Sequence, residues 1–215
     1  FFIGERSNFI KVFIIINLYL VFTNEISNKI KISFFLILIL GLITLVNFNE
    51  TYKIRYYNQI VKIFENKKGF LLINNSQYGA HYNVAKEIFL DNPIFGVGIK
   101  NFRIESASKK YDNLDHPKNN LRVSTHPHQI HYEFLSETGA VGYLCFLVFI
   151  ILSLYYSFNN YLKYKNIFQL SGILFVTTSI LPLLPSGSFL STYNSSIFWI
   201  NYAVMMGYIS SNKIK

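Results

Sequence analysis

The sequence predicts an all-α integral membrane protein. Of its 215 residues, 51% are hydrophobic and only 14% are charged, a composition too apolar for a soluble domain of this size. Several segments also approach the roughly 17 to 25 apolar residues that a helix needs to cross a bilayer. The formal net charge of +9 comes from basic residues spread along the chain, so we expect anionic lipid headgroups as the partner and no nucleic acid.

Five predicted spans divide the chain into three parts. They cover roughly residues 7–23, 32–48, 140–158, 167–184 and 189–209. Residues 1–48 then form two transmembrane helices, residues 49–139 form one large loop, and residues 140–215 form three more helices and a tail. The fifth span is the most polar. We expect its polar side chains at 193–196 to face other helices, because unsatisfied polar groups are costly in lipid.

Lysines in the short connections predict the orientation of these spans, because such residues favour the cytoplasmic side. The lysines concerned are Lys29, Lys31, Lys163, Lys165, Lys213 and Lys215. The uncharged turn "PSGS" at 185–188 then lies outside, and the tail lies in the cytoplasm. Residues 49–139 fall outside as well, since long loops are translocated largely regardless of charge.

The outer loop is expected to be helical. In "YKIRYYNQIVKIFENKK", residues 52–68, apolar residues recur at helical spacing with lysines on other faces, which predicts an amphipathic helix on the membrane surface. In "HYNVAKEIFLDNPIFGVGIKNF", residues 81–102, a helix should end at Asn92-Pro93 and lead into a glycine-containing turn. The "GVG" there is typical of a tight turn rather than of a nucleotide-binding loop, which needs a preceding strand and a following helix.

A histidine-rich stretch, "THPHQIHYEFLSETG", leads into the third span. Thr125 can cap a helix and Pro127 is tolerated in a first turn, so we expect a helix from about Pro127 to Thr138 that stops at Gly139. One predicted face carries His128, His131, Tyr132 and Leu135, and another carries Glu133 and Glu137. This helix would hold its titratable side chains at the level of lipid headgroups.

Three interpretations of these histidines stay open. They could be interfacial residues that hydrogen-bond the loop to the helix bundle. His126, His128 and His131 could instead converge on zinc, although no HExxH spacing supports such a site. Finally, a histidine could act as a catalytic base, because an unperturbed pKa near about 6.5 suits proton removal from a hydroxyl at neutral pH.

Two arginines are candidates for binding an anion. Arg6 lies at the predicted outer end of the first span, on the same side as the histidine stretch. Its guanidinium either extends to the headgroups or grips a phosphate with its planar fork. Arg103, just after the glycine turn, could supply a second fork or simply be a solvated loop residue.

Three stretches occur in an order typical of one known family. They are "GERSNF" at a helix start, then "DNPIFGVGIKNFR", then "THPHQIHYEFLSETGAVGYLCFLVF". Together they resemble the O-antigen ligase and polymerase superfamily of bacterial envelope proteins, with its Asn-Pro and Gly-x-Gly element and its Glu-x-Gly-x-x-Gly entry into a span. Family members have more spans, and the chain opens on Phe1 rather than Met. We therefore expect the C-terminal part of a longer protein.

The resemblance implies a metal-independent glycosyltransferase of the bacterial inner membrane, with its active loop in the periplasm and no cofactor. Such enzymes move a glycan from an undecaprenyl-diphosphate carrier to an acceptor hydroxyl, for example on lipid A-core. The resemblance implies that His128 deprotonates the acceptor and that Arg6 and Arg103 bind the diphosphate. The supporting residues that it implies are His126, Glu137 and His81, the last standing near where many members carry an arginine.

Other functions also stay open at this point. A polymerase of the same superfamily would use a second carrier-linked glycan as its acceptor. A membrane transporter should carry broken spans with polar residues near mid-membrane. In this sequence the candidate chemistry lies in the outer loop, which favours group transfer over transport. A purely structural envelope protein is a further alternative.

Overall fold

A computed structural model describes residues 6–50, 53–54, 74–182 and 184–211. The chain divides into two compact units, Phe1–Leu72 and Ile73–Lys215. The α-helices are α1 (Arg6–Phe22), α2 (Asn28–Phe48), α3 (Gln77–Asp91), α4 (Phe102–Glu105), α5 (Ile130–Tyr164), α6 (Ile167–Ser179) and α7 (Thr192–Ser211). The described residues contain no β-strand, so the predicted all-α class is confirmed.

The first unit contains the apolar helices α1 and α2. Two amide side chains in these helices bond within their own helix: Asn17 Nδ2 donates to Phe13 O at 2.7 Å, and Asn47 Nδ2 donates to Ile43 O at 2.8 Å. Such bonds satisfy polar side chains within the helix, which is necessary in lipid because hydrocarbon offers no hydrogen-bond partner. The predicted amphipathic helix at 52–68 falls outside the described residues except for 53–54, where a short helical turn is present.

Helix α5 is long but is broken at Gly139. Its backbone there has φ 64° and ψ −169°, far from helical values. Residues before the break form a short helix, and residues after it form a long apolar one, so the predicted stop at Gly139 is confirmed as a kink. The helices long and apolar enough to cross a membrane, within the described ranges, are α2 and α5, while α1 and α6 are apolar but shorter. The number of spans and their sidedness stay predictions.

The C-terminal helices α6 and α7 pack closely through small and polar residues. A Cβ added at Gly172 would lie 2.8 Å from Met205 N, so glycine permits this approach. The buried amide of Gln169 donates to Met205 O at 3.1 Å and accepts from Asn160 Nδ2 at 2.8 Å. These bonds satisfy polar groups inside an otherwise apolar interface.

The polar start of α7 differs from the prediction. The hydroxyls of Ser195 and Ser196 donate to carbonyls of the preceding turn rather than to a neighbouring helix. The amide of Asn194 donates to Ser188 O at 3.0 Å, in the loop before α7. Tyr193 is 75% exposed. Local backbone acceptors therefore replace the expected contacts between helices, because serine readily bonds the carbonyl four residues back.

Helix α3 and the loop that follows it share a hydrophobic core. It is built from Val84, Ala85, Ile88, Phe102 and Tyr111, each of which is at most 1% exposed. The Tyr111 hydroxyl donates to Asp91 Oδ2 at 2.7 Å, close to the end of α3. Since α3 ends at Asp91 with Asn92 as its C-cap, the predicted helix end before Pro93 is confirmed. This folded loop positions the histidine stretch.

Candidate active site

The glycine turn and the residues around the α5 kink form one unit. Residues 93–98 run beside residues 136–141, joined by backbone hydrogen bonds. These are Val97 N to Ser136 O at 3.0 Å, Gly98 N to Glu137 O at 2.9 Å, Ala140 N to Pro93 O at 2.8 Å and Val141 N to Ile94 O at 3.2 Å. The two sequence motifs, roughly 40 residues apart, are therefore parts of the same site.

Glycine is required on both sides of this contact. Gly96 has φ +65° and Gly139 has φ +64°, a region that disfavours residues with a Cβ. A Cβ at Gly96 would lie 2.5 Å from the carbonyl carbon of Glu137, and one at Gly139 would lie 2.3 Å from Ile94 O. The predicted tight turn is confirmed, and the glycines also admit the close approach of two backbones.

Glu137 fastens the segment that follows the glycine turn. Its carboxylate is 2% exposed and accepts hydrogen bonds from Lys100 N at 2.6 Å and Phe102 N at 3.2 Å. Lys100 adopts φ 64°, which few residues with a side chain adopt unless neighbouring contacts enforce it. Glu137 thus fixes the backbone that presents Arg103, whose side chain is exposed.

Three imidazoles from two parts of the chain form a cluster, which we call the histidine cluster: His81, His126 and His128. The ring centroids of His126 and His128 lie 4.0 Å apart, and those of His81 and His128 lie 5.1 Å apart in a stacked arrangement. The ring of Tyr78 meets His128 edge-on at 5.4 Å. His81 comes from α3 and is 1% exposed, with Nε2 hydrogen-bonded to Leu121 O at 2.9 Å.

The cluster favours neutral imidazoles. Burial, followed by the proximity of His128, lowers the pKa of His126 to about 4. Burial also lowers the pKa of His128 and of His81 from their ordinary value. The charge of nearby Arg103 contributes to the low pKa of His126. At neutral pH each ring therefore keeps an unprotonated nitrogen that can accept a proton.

The predicted histidine helix was wrong at its start. Gln129 is the N-cap, and its Oε1 accepts from Tyr132 N at 3.0 Å, so the helix begins at Ile130 rather than near Pro127. His128 precedes the helix with φ 59° and hence does not share a helical face with His131. The left-handed conformation turns the His128 ring towards α3 instead.

The zinc interpretation through His126, His128 and His131 was also wrong. His131 bonds elsewhere: its Nε2 lies 2.9 Å from Ile180 O and its Nδ1 lies 2.9 Å from the Tyr143 hydroxyl, beside a cleft of about 510 Å³. Within the described ranges, no three His, Cys, Asp or Glu side chains lie together so that they could hold a metal ion. His81, not His131, completes the histidine cluster.

Glu133 is a buried site residue whose partners could not be predicted from the sequence. It lies one helical turn before Glu137, as expected for a shared face, and its carboxylate binds a different segment from that of Glu137. Its Oε2 accepts from Phe189 N at 2.7 Å, and its Oε1 accepts from the Ser188 hydroxyl. The local signal was a carboxylate flanked by Tyr132 and Phe134 just before a span, since a charge there needs partners.

Arg6 is the remaining predicted site residue. Helix α1 begins at Arg6, but the arginine's side chain lies outside what the structure describes. It belongs to the first compact unit, whereas His128 and Arg103 belong to the second. The role of Arg6 in binding a diphosphate stays a prediction, as do the catalytic and supporting roles of the other site residues.

Comparison with known families decides the class of this protein. A family model described as O-antigen ligase matches residues 1–147, which is 147 of the 215 residues. The chain belongs to the O-antigen ligase family. The matched part includes the glycine turn, the α5 kink and all five histidines. A search of curated protein sequences finds no match to the chain.

Membership of the O-antigen ligase family gives the general activity. The family consists of membrane-bound, glycosyltransferase-like enzymes, whose substrates are lipid-linked glycans and their acceptors. The match ends at residue 147, inside α5. Helices α6 and α7 and the segment between them thus lie beyond the part of the chain that the O-antigen ligase family model matches.

Proposed function

We propose that this protein transfers a glycan from an undecaprenyl-diphosphate carrier to an acceptor hydroxyl, as an O-antigen ligase-like enzyme of the bacterial inner membrane with its loop in the periplasm. His128 acts as the general base. The observation that carries this proposal is the histidine cluster, in which the pKa of His128 is lowered and its ring is held between His81 and His126. A base that is neutral at pH 7 can take a proton from a hydroxyl.

The proposed transfer needs a base, an acceptor hydroxyl and the diphosphate leaving group. An imidazole nitrogen of His128 takes the proton of the acceptor hydroxyl as the acceptor oxygen forms a bond to the anomeric carbon of the glycan. The bond from that carbon to the diphosphate oxygen breaks, and the carrier diphosphate leaves with the electron pair. Cations near the leaving group lower the barrier, because negative charge develops there.

Arg103 is proposed to bind that diphosphate together with Arg6. In support, the exposed Arg103 follows the backbone held by Glu137 and lies near enough to His126 for its charge to act on that imidazole. A guanidinium can hold two phosphate oxygens at once, whereas an ammonium acts as a point charge. Glu137, His126 and His81 then have supporting roles: Glu137 holds the arginine segment, and the two histidines enclose the base.

The test uses the full-length protein in membranes with a diphospholipid-linked glycan. Transfer to a lipid A-core acceptor supports a ligase, whereas longer carrier-linked chains would identify the polymerase alternative. Arg103→Ala and Arg6→Ala should each raise the KM for the donor and lower transfer, and Arg103→Lys should restore it only in part. Lys118→Ala, in the same loop, is the control for lost positive charge. Undiminished transfer in both arginine variants would contradict the diphosphate role.

A further inference from the structure

The segment between α6 and α7 makes five hydrogen bonds to residues 128–133, at and just before the start of α5. The contacts are Ser186 N to His128 O at 2.9 Å, Gln129 Nε2 to Pro182 O at 2.8 Å, His131 Nε2 with Ile180 O at 2.9 Å, Phe189 N to Glu133 Oε2 at 2.7 Å, and the Ser188 hydroxyl to Glu133 Oε1. We call the described residues of 180–189 the clamp segment. It lies beyond residue 147, where the family match ends.

Glu133 is the anchor of this contact. Its side chain is 1% exposed, and both of its carboxylate oxygens accept hydrogen bonds from the clamp segment. A buried carboxylate without such donors is strongly unfavourable, so the pairing constrains both sides. The ring of Phe189 adds an apolar contact, since it lies 5.4 Å from Phe134 and 5.3 Å from Phe146.

The clamp segment also acts directly on the backbone of His128. A non-glycine residue rarely adopts φ 59°, and it persists there only when surrounding contacts enforce it. The carbonyl of His128 accepts from Ser186 N, and the next residue, Gln129, donates its side-chain amide to Pro182 O. The same conformation turns the imidazole away from the helix and onto His81.

From these contacts we infer that the clamp segment, anchored on Glu133, is a positioning element for the His128 base. The inference rests on the proposed function, and it extends the working site beyond the part of the chain that the O-antigen ligase family model matches. Glu133 binds the clamp segment rather than substrate or reacting atoms, so it acts only through His128. Loss of the anchor should allow the left-handed turn at His128 to relax and move the ring from its place in the histidine cluster.

The kinetic test compares Glu133→Ala, Glu133→Gln and Ser188→Ala in full-length protein in membranes. Since a displacement of about 1 Å in a reacting group costs on the order of 10²-fold in rate, Glu133→Ala should lower kcat by about that factor with little change in the donor KM. Glu133→Gln keeps one acceptor oxygen and should recover part of the loss. Glu87→Ala on α3 and Ser171→Ala on α6 are the matched controls, because Glu87 pairs with Lys86 and the Ser171 hydroxyl donates to Phe168 O rather than to the clamp segment.

A second readout separates this inference from the proposed function. Diethyl pyrocarbonate modifies neutral imidazoles, and mass spectrometry measures its rate at His128 without any need for turnover. Release of the clamp segment should speed modification of His128 in Glu133→Ala and in the milder Ser188→Ala, but not in Glu87→Ala. If the wild type fails to transfer glycan, the proposed function fails, and faster modification still supports the positioning role. Unchanged modification, or an unchanged kcat in an active enzyme, would overturn the inference.

Discussion

The imidazole of His128 stacks on that of His81, with ring centroids 5.1 Å apart and ring planes 23° apart. The two residues lie 47 positions apart in the sequence, one on α3 and one before α5. His81 is itself buried, and its Nε2 is hydrogen-bonded to Leu121 O, so its ring holds one side of His128 in place. His126 covers another side at 4.0 Å. The candidate base is thus partly enclosed and held neutral.

We predict an acidic limit of transfer below the ordinary histidine range. Burial lowers the pKa of His128 from its ordinary value, so this imidazole stays unprotonated to a lower pH than a solvated histidine. The measurement is the pH profile of kcat/KM for the donor in the full-length protein. Measured in Glu133→Gln, so that the Glu133 carboxyl, whose pKa burial raises to about 7, does not titrate in the same range, the rate should hold from neutral pH down past about 6.5 and decline only below it. An apparent pKa at or above that value would contradict a buried base.

The lowered pKa values of the three histidines predict that the histidine cluster loses stability in acid. When folding lowers the pKa of a histidine, the unfolded chain binds the proton more readily, so stability falls as the pH falls. For His126 the decline should begin near about 6.5, the unfolded value, and continue towards the folded pKa of about 4. Hydrogen exchange of the backbone amides in residues 124–129, compared at pH 7 and at pH 5, measures this loss of stability. The loss should be smaller in His126→Asn.

His81 should help to set the acidic limit of transfer, because its stacked ring keeps water away from His128. His81→Ala removes the stacked ring, admits water to His128, and should therefore move the acidic limit of transfer up towards about 6.5. His81→Phe keeps an apolar ring in the same place and should leave the limit near its wild-type position. The readout is the pH profile rather than the rate alone. If both variants gave the wild-type profile, the stacking of His81 on His128 would have no part in setting the protonation of the base.

Gly96 and Gly139 should not tolerate alanine. Each has a positive φ, and an added Cβ would collide with backbone of the facing segment. Gly96→Ala and Gly139→Ala should therefore each cost at least about 1 to 3 kcal/mol of stability, measured by thermal unfolding in detergent. Gly41→Ala in α2 is the control, since a Cβ there meets nothing within 4 Å and alanine favours a helix. Equal behaviour of all three variants would contradict the close approach of the two motif segments.

Features set by local patterns could be predicted from the sequence. Apolar runs gave the helices α1, α2, α5, α6 and α7 to within a few residues at most ends, and Asn92-Pro93 gave the end of α3. The Gly139 break was predictable because glycine readily leaves helical geometry. These features depend on residues that are neighbours in the chain, so a single sequence contains the necessary information.

Features set by distant contacts could not be predicted. Either Thr125 or Gln129 can accept the first amide protons of a helix, and the tertiary contact of Gln129 with Pro182 decides between them. The approach of His81 to His128 and the pairing of Glu133 with Ser188 join residues roughly 50 positions apart. The spacing of apolar and polar residues along the sequence does not predict such contacts. The role of Arg6 in binding a diphosphate stays a prediction.

The rate of glycan transfer by His128→Ala, in the full-length protein in membranes, tests His128 as the general base. His116→Ala is the matched control, because His116 lies in the same loop but bonds Asn74 O and is not one of the rings that contact His128. With insertion confirmed for both variants, we predict that His128→Ala lowers kcat by about 10² to 10⁴-fold, the usual contribution of a general base. His116→Ala should stay close to wild type. A near wild-type kcat in His128→Ala would show that His128 is not the general base.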